Sequence, residues 1–324
     1  MKIKSITKRP FVGKVYNFHC TPNENYFANG VLVHNCYKAN SPSGSYMNFE
    51  TFKKVFDLLN KQQTMTQIAF GVDAEASEEL NPDIWKIFQY TRDHDVVPNV
   101  TVADITQKTA EKIVSLCGAC AVSAYQINKN CCYDSVKLLL DEAKRQKKEM
   151  AVNIHLMVSQ ETLPFVFEVI EDYKTDPRLQ GMNAIVFLSL KQKGRGTAFH
   201  KVSEEDFKKI IDKCLEEEIR FGMDSCSASK FLRILKDRAD KDFFEQFIES
   251  CESTLYSLYI DHTGTFYPCS FMEKEGDWEQ GIDILKAEDF YKDVWMHPKV
   301  VAYRNAALKC IECNGCNSCP YYAV

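Results

Sequence analysis

No run of apolar residues in this 324-residue chain approaches the roughly 18 that a membrane span requires. The opening MKIKSITKRPF is charged and lacks the apolar stretch of a secretory signal, so a cytoplasmic protein is expected. Basic excess is lacking as well. Lys and Arg number 40 against 45 Asp and Glu, a net charge of −5, which excludes a broadly basic nucleic-acid binder. There is no repeat at a fixed period and no low-complexity linker. What is present is globular usage: 45% hydrophobic and 26% charged residues exclude a wholly disordered chain. At about 150 residues per domain, the length allows two domains or one large barrel with an appendage.

Cysteine is abundant, with 14 in the chain, four of them at Cys310, Cys313, Cys316 and Cys319. A reducing cytosol disfavours structural disulfides. Thiols at such spacings point to metal or cluster ligation instead.

The chain changes character twice. Residues 1–35 are short β-type runs with turn residues, and Asn29-Gly30 predicts a hairpin. From Cys36 to Met223, helix-period segments (FETFKKVFDLLN, PDIWKIFQYTRD, TAEKIVSLC, SVKLLLDEAKRQ, SEEDFKKIIDKCLEEE) alternate with short apolar runs. Those runs are QIAFGV, VVPNVTV, CAVSAY, MAVNIHLMV, NAIVFLSL and IRFGM. This β/α order predicts an α/β fold, a parallel sheet with helices outside, either open or curved toward a barrel. From Asp224 to Val324 the alternation stops and cysteines dominate.

Val33-His34-Asn35-Cys36 is the sharpest local motif. An Asn side-chain amide attacks its own carbonyl carbon and breaks the following peptide bond. A neighbouring imidazole assists the proton transfers, and a thiol on the far side accepts an acyl group. In context, VYNFHCTPNENYFANGVLVHNC resembles the C-terminal end of an intein, a Hint-type β fragment spanning residues 1–35. It differs from the commonest pattern at Asn17, where Asp is frequent, and at Glu24, where His is frequent. The resemblance implies that Asn35 cyclises, His34 assists and Cys36 is the first residue of the C-extein. It also implies either a partner polypeptide that supplies the N-intein or an incomplete gene product.

Cys36-Tyr37-Lys38-Ala39-Asn40 resembles the third cysteine of the CxxxCxxC motif of radical S-adenosylmethionine (SAM) enzymes. By that resemblance, Cys36 binds one iron of a [4Fe–4S] cluster that also holds S-adenosyl-L-methionine. The other two cluster cysteines, and the first strand of a (β/α)6 barrel, would lie on the N-extein of the partner. Residues 36–223 are then an incomplete radical SAM core. In Gly71-Val72-Asp73-Ala74-Glu75, which stands where this superfamily often carries Gly-Gly-Glu, Gly71 would let the backbone approach the nucleotide. Asp73 or Glu75 would accept a hydrogen bond from the methionine ammonium. Thr101, Ser123 and His155 fall at strand ends and are candidates for ribose, carboxylate or substrate contacts. Lys191, Lys193 and Arg195 follow the run AIVFLSL, placed to pair with the nucleotide carboxylate or a peptide acid. Cys117, Cys120, Cys131 and Cys132 read as buried or free thiols.

Cys251 and Cys269 bound a segment that reads as a hairpin turning at Asp261 to Gly264. With the cysteines from 310 to 319, residues 224–324 resemble the SPASM or twitch extension of radical SAM enzymes, a small α+β unit. The resemblance implies at least one auxiliary [4Fe–4S] cluster on Cys251, Cys269, Cys310, Cys313, Cys316 and Cys319, with Cys226 a further candidate. It also implies a peptide or protein substrate and an electron donor such as a flavodoxin or ferredoxin. On the residues alone a second class stays open: a zinc-binding interaction protein with a silent barrel and a relic intein segment.

Overall fold

The structure is a computed structural model describing residues 25–28, 31–34, 46–61, 65–71, 81–246, 248, 251–314, 319 and 321–322. For 25–28, 31–34, 195 and 310–314 it describes the backbone alone.

Two short strands come first, β1 (Asn25–Ala28) and β2 (Val31–His34). They pair antiparallel from Asn25↔His34 to Ala28↔Val31, the register that a two-residue Asn-Gly connection sets. Asn29 and Gly30 themselves lie outside the described residues.

The alternating region follows: α1 (Phe49–Asn60), β3 (Gln67–Phe70), α2 (Ile84–Asp93), β4 (Val97–Val102), α3 (Gln107–Leu116) and β5 (Ala119–Ala124). It continues with α4 (Lys129–Gln146), β6 (Ala151–Val158), α5 (Leu163–Thr175), β7 (Ala184–Ser189), α6 (Glu204–Glu216) and β8 (Phe221–Met223). Local chemistry sets several starts. Asn48, Thr106 and Ser203 cap α1, α3 and α6, each side chain accepting from a backbone N–H in the first turn. The α4 helix ends where Lys147 turns left-handed, at φ 53°.

The six strands β3 to β8 form one parallel sheet in chain order. Each crossover therefore advances one strand in the same direction. With right-handed crossovers all the helices fall on one face. A doubly wound sheet would reverse its order part-way; this one does not, and it is compatible with a partial barrel. Burial follows the same logic. On β4, β6 and β7 every second residue is buried, including Val100, Ile154, Leu156, Ile185 and Phe187, which face the helices.

Beyond β8 lie α7 (Ala228–Leu235) and α8 (Lys241–Glu245), and Phe231, Ile234 and Leu235 join the core between sheet and helices. A small antiparallel sheet then forms from β9 (Tyr259–Ile260), β10 (Thr265–Tyr267) and β11 (Ile282–Asp283), with β10 central. The turn between β9 and β10 is the one expected at Asp261 to Gly264. Asp261 Oδ1 accepts from the backbone N–H groups of Thr263 and Thr265, and Gly264 has a φ of +84°. The chain's last long helix is α9 (Pro298–Asn314). Phe266, Tyr267, Trp278, Ile284, Phe290, Val294, Val300 and Tyr303 build a second core around this sheet. The two cores meet on α1: Phe52 and Phe56 point into the first, Val55 and Leu59 into the second. No helix among the described residues is long and apolar enough to cross a membrane.

Candidate functional site

The face of the parallel sheet turned away from the helices is small and polar. Pairing places Ala69, Asn99, Ala119 and Ala151 on one level. Thr101, Ala121, Asn153 and Ala184 lie on the next, and Ser123, His155, Val186 and Gly222 on a third, toward the carboxyl ends of the strands. The expected candidates Thr101, Ser123 and His155 therefore share one face. Gly71 follows β3 in an exposed position, and a Cβ built on it meets nothing within 4 Å. Asp73 and Glu75 lie outside the described residues, and so do Asn35 and Cys36.

His155 is titratable yet largely withdrawn from water. Burial pushes its imidazole down to about 4, against a smaller opposing pull from Asp224. A histidine that is neutral when folded takes up a proton on unfolding between its depressed value and the ordinary value of about 6.5. Its contribution is present above that range and is lost as pH falls through it. We expect the chain to lose about 2 kcal/mol more stability than His155→Gln between pH 7 and pH 5. Denaturant midpoints at the two pH values measure this. Equal losses in both proteins would mean that the imidazole is not desolvated.

At the carboxyl ends of β7 and β8 the polar groups knot together. Asp224 accepts from the Ser189 backbone N–H at 3.1 Å and from the Ser227 hydroxyl at 2.5 Å. It also pairs with the Lys191 ammonium, whose side chain is only 5% exposed. Burial pulls the Lys191 ammonium down; Asp224, and after it Cys226, outweigh that and raise it above the ordinary value. Lys193 donates to the Phe271 carbonyl at 2.9 Å and pairs with Glu275 at 3.3 Å. Both lysines of the predicted basic loop are thus engaged by the chain's own groups. The Arg195 side chain is not among those described. The loop's tightness explains Gly196, where a Cβ would sit 2.1 Å from the Lys191 carbonyl oxygen.

Near this knot, thiols from four separate segments feel one another's charge. Cys226 follows β8, Cys251 and Cys269 flank the hairpin, and Cys319 lies beyond α9. Cys226 interacts through space with Cys251 and Cys319, and Cys269 with the same two. Burial, reinforced by mutual repulsion, raises all three of the thiols at 226, 251 and 269, and Cys226 is pushed up to about 12. Backbone amides point at the sulfurs: Ser253 at Cys251, Phe271 and Met272 at Cys269, and Tyr322 at Cys319 across 3.3 Å. Donors aimed at sulfur favour thiolate and are a means of tuning thiolate-held clusters. The buried Tyr303 ring lies among these thiols and stacks on Tyr321 with centroids 4.7 Å apart.

Soft thiols are the donor type that iron–sulfur and zinc centres use, but these four are not assembled into such a site. Among the described residues no group of three or more His, Cys, Asp or Glu is closed into a geometry that holds a metal ion. Of the other terminal cysteines, Cys310 and Cys313 have their backbones in the last turns of α9, and Cys316 lies outside the described residues. Cys117, Cys120 and Cys132 are buried and Cys131 is exposed, all free thiols as expected.

Sequence reasoning missed Asp224 and Tyr303. Asp224 was legible, because it directly follows the run IRFGM and strand ends collect functional groups. Tyr303 sits in a helix and carries no such signal. No protein-family model matches the chain, and no curated protein matches it.

Proposed function

We propose that this chain is the C-terminal part of a radical SAM iron–sulfur enzyme acting on a peptide or protein. Its N-terminal part, with the first barrel strand and two cluster cysteines, is joined to Cys36 by intein-mediated splicing. The observation that supports this reading is the parallel sheet wound in one direction, with Cys226 just past the carboxyl end of β8. Open parallel sheets and barrels place their chemistry at that end.

In this reading Cys36 is the chain's share of the site cluster, and Gly71, Asp73 or Glu75, Ser123 and Arg195 are the candidates for nucleotide binding. With S-adenosylmethionine bound, the site cluster supplies radical hydrogen abstraction. The residues of this chain supply the wall behind it: Thr101, Ser123 and His155 offer hydrogen-bonding groups on one face, and a neutral His155 both donates and accepts. Cys226, Cys251, Cys269 and Cys319 would be ligands of an auxiliary [4Fe–4S] cluster, and a small protein such as a flavodoxin or ferredoxin would be its electron donor.

Metal loading tests it. Because Cys36 is the chain's one site-cluster thiol, iron retained by the chain after anaerobic reconstitution belongs to the auxiliary site. We expect about four iron and four acid-labile sulfide per chain, with visible charge-transfer absorbance. Cys269→Ser should lose most of that iron while keeping its far-ultraviolet circular dichroism. Uptake of zinc with no iron under the same conditions would instead establish the zinc-binding alternative, since a set of thiols suits that ion equally.

A further inference from the structure

We infer that the pocket between the carboxyl ends of β6 and β7 and the helices α6 and α7 binds one small monatomic anion, of the size of chloride, on the ammonium of Lys230. Val158, Ser189, Val202 and Phe207 line this pocket, with Lys201 and Lys230 as its charged groups. It lies on the helix side of the sheet: Val158 continues the buried row of Ile154 and Leu156, and Ser189 that of Ile185 and Phe187. Thr101, Ser123 and His155 are on the opposite face, so the inference does not rest on the proposed function. The pocket has room for one water-sized group.

Lys230 is 7% exposed, and its ammonium lies 5.2 Å from the centroid of the Phe207 ring. Among the described residues it has no ion pair and no hydrogen bond. The carboxylates near it are taken: Glu204 pairs with Arg233, and Asp224 with Lys191. Ser189 has no spare proton for a guest, because Ser227 donates to Asp224 and Ser189 therefore donates to Ser227. A ring face repays only part of the cost of burying an ammonium. Burial, and after it the charges of Arg233 and Lys201, pull the ammonium down against Glu204 and Asp224. Lys201 and Val202 lead into α6, so the positive end of that helix adjoins the pocket as well. Two lining cations with no lining carboxylate select a negative guest. Room for one water-sized group admits a halide and excludes phosphate and sulfate.

The test is the denaturant midpoint of the full chain as chloride replaces gluconate at constant ionic strength. Gluconate is too large to enter, and a ligand bound only by the folded state stabilises it by mass action. The midpoint should rise and then level off as the site fills. Lys230→Met, which keeps the length of the side chain and removes its charge, should show no saturating rise. Lys230→Gln serves if the Met variant does not fold. A saturating rise that survives loss of the charge would place the anion elsewhere and overturn the inference. Equal midpoints in the two salts for the unaltered chain would overturn it too. Chlorine nuclear magnetic resonance needs no variant: the chloride line should broaden in the presence of the folded chain and sharpen again when bromide competes. A line that stays sharp would overturn the inference.

Discussion

Asn35→Ala is expected to stop release of residues 1–35 when the chain is mixed with a polypeptide bearing an N-intein half and the other two cluster cysteines. Without the side-chain amide there is no nucleophile to attack the Asn35 carbonyl, so the 35–36 peptide bond stays intact. Acyl capture by Cys36 precedes that step, and a branched product should accumulate. Cys36→Ala should instead abolish ligation altogether and with it cluster loading at the site, because in the proposed reading one sulfur would serve as nucleophile first and as iron ligand afterwards. Intact-protein mass spectrometry distinguishes branched, ligated and unreacted chains. His34 is the last paired residue of β2, opposite Asn25. Failure of the unaltered chain to ligate, with a partner proven on another C-intein, would make residues 1–35 a relic.

Phe88→Ala should produce the largest loss of stability among single substitutions at the sheet edge, about 3–5 kcal/mol. Phe88 lies on α2 at 0% exposure, its ring 4.7 Å from Phe70 and edge-on to Trp85 at 5.7 Å. Phe70 belongs to β3, a four-residue strand that pairs with β4. β3 lies at the edge of the described sheet and pairs with β4 alone there, so ring packing holds much of it. For a domain stable by some 5–15 kcal/mol, that loss is a large fraction of the whole. A denaturant midpoint shifted by the equivalent of less than about 1 kcal/mol would show that the edge repacks freely.

The parallel sheet was legible because each strand is a short apolar run set between segments of helical period. QIAFGV, MAVNIHLMV and NAIVFLSL all contain the strands they suggested, and the polar letters inside MAVNIHLMV, Asn153 and His155, mark the face turned from the helices. Residues beyond Asp224 were less readable. The β11 strand has two residues and the turn at Phe290–Trp295 is a single π-helical turn, both too short for any period to show. The hairpin was found because Asp261 and Gly264 carry a local turn code. The thiol site was legible only in its parts. Spacing suggested that the terminal cysteines act together, but long-range packing decides that Cys226 feels the charge of Cys319, and no local pattern encodes that across so much chain. Likewise the charge of Lys191 was plain, whereas its partner Asp224 became visible only when β7 and β8 lay side by side.

The sharing of α1 between two cores has a consequence for how the protein can change over time. Three sides of this helix are committed. Phe52 and Phe56 fill one core, Val55 and Leu59 fill the other, and Lys53 and Asp57 engage Tyr90 of α2. Inserting or deleting one residue within α1 would rotate everything after it by about 100°, and no rotation satisfies both cores at once. Length variation must therefore fall in the loops, and substitutions on α1 are filtered by two sets of neighbours. The cysteine-rich unit and the parallel sheet are consequently tied in descent as well as in space, since neither can be exchanged for a foreign version without a helix already shaped to receive it.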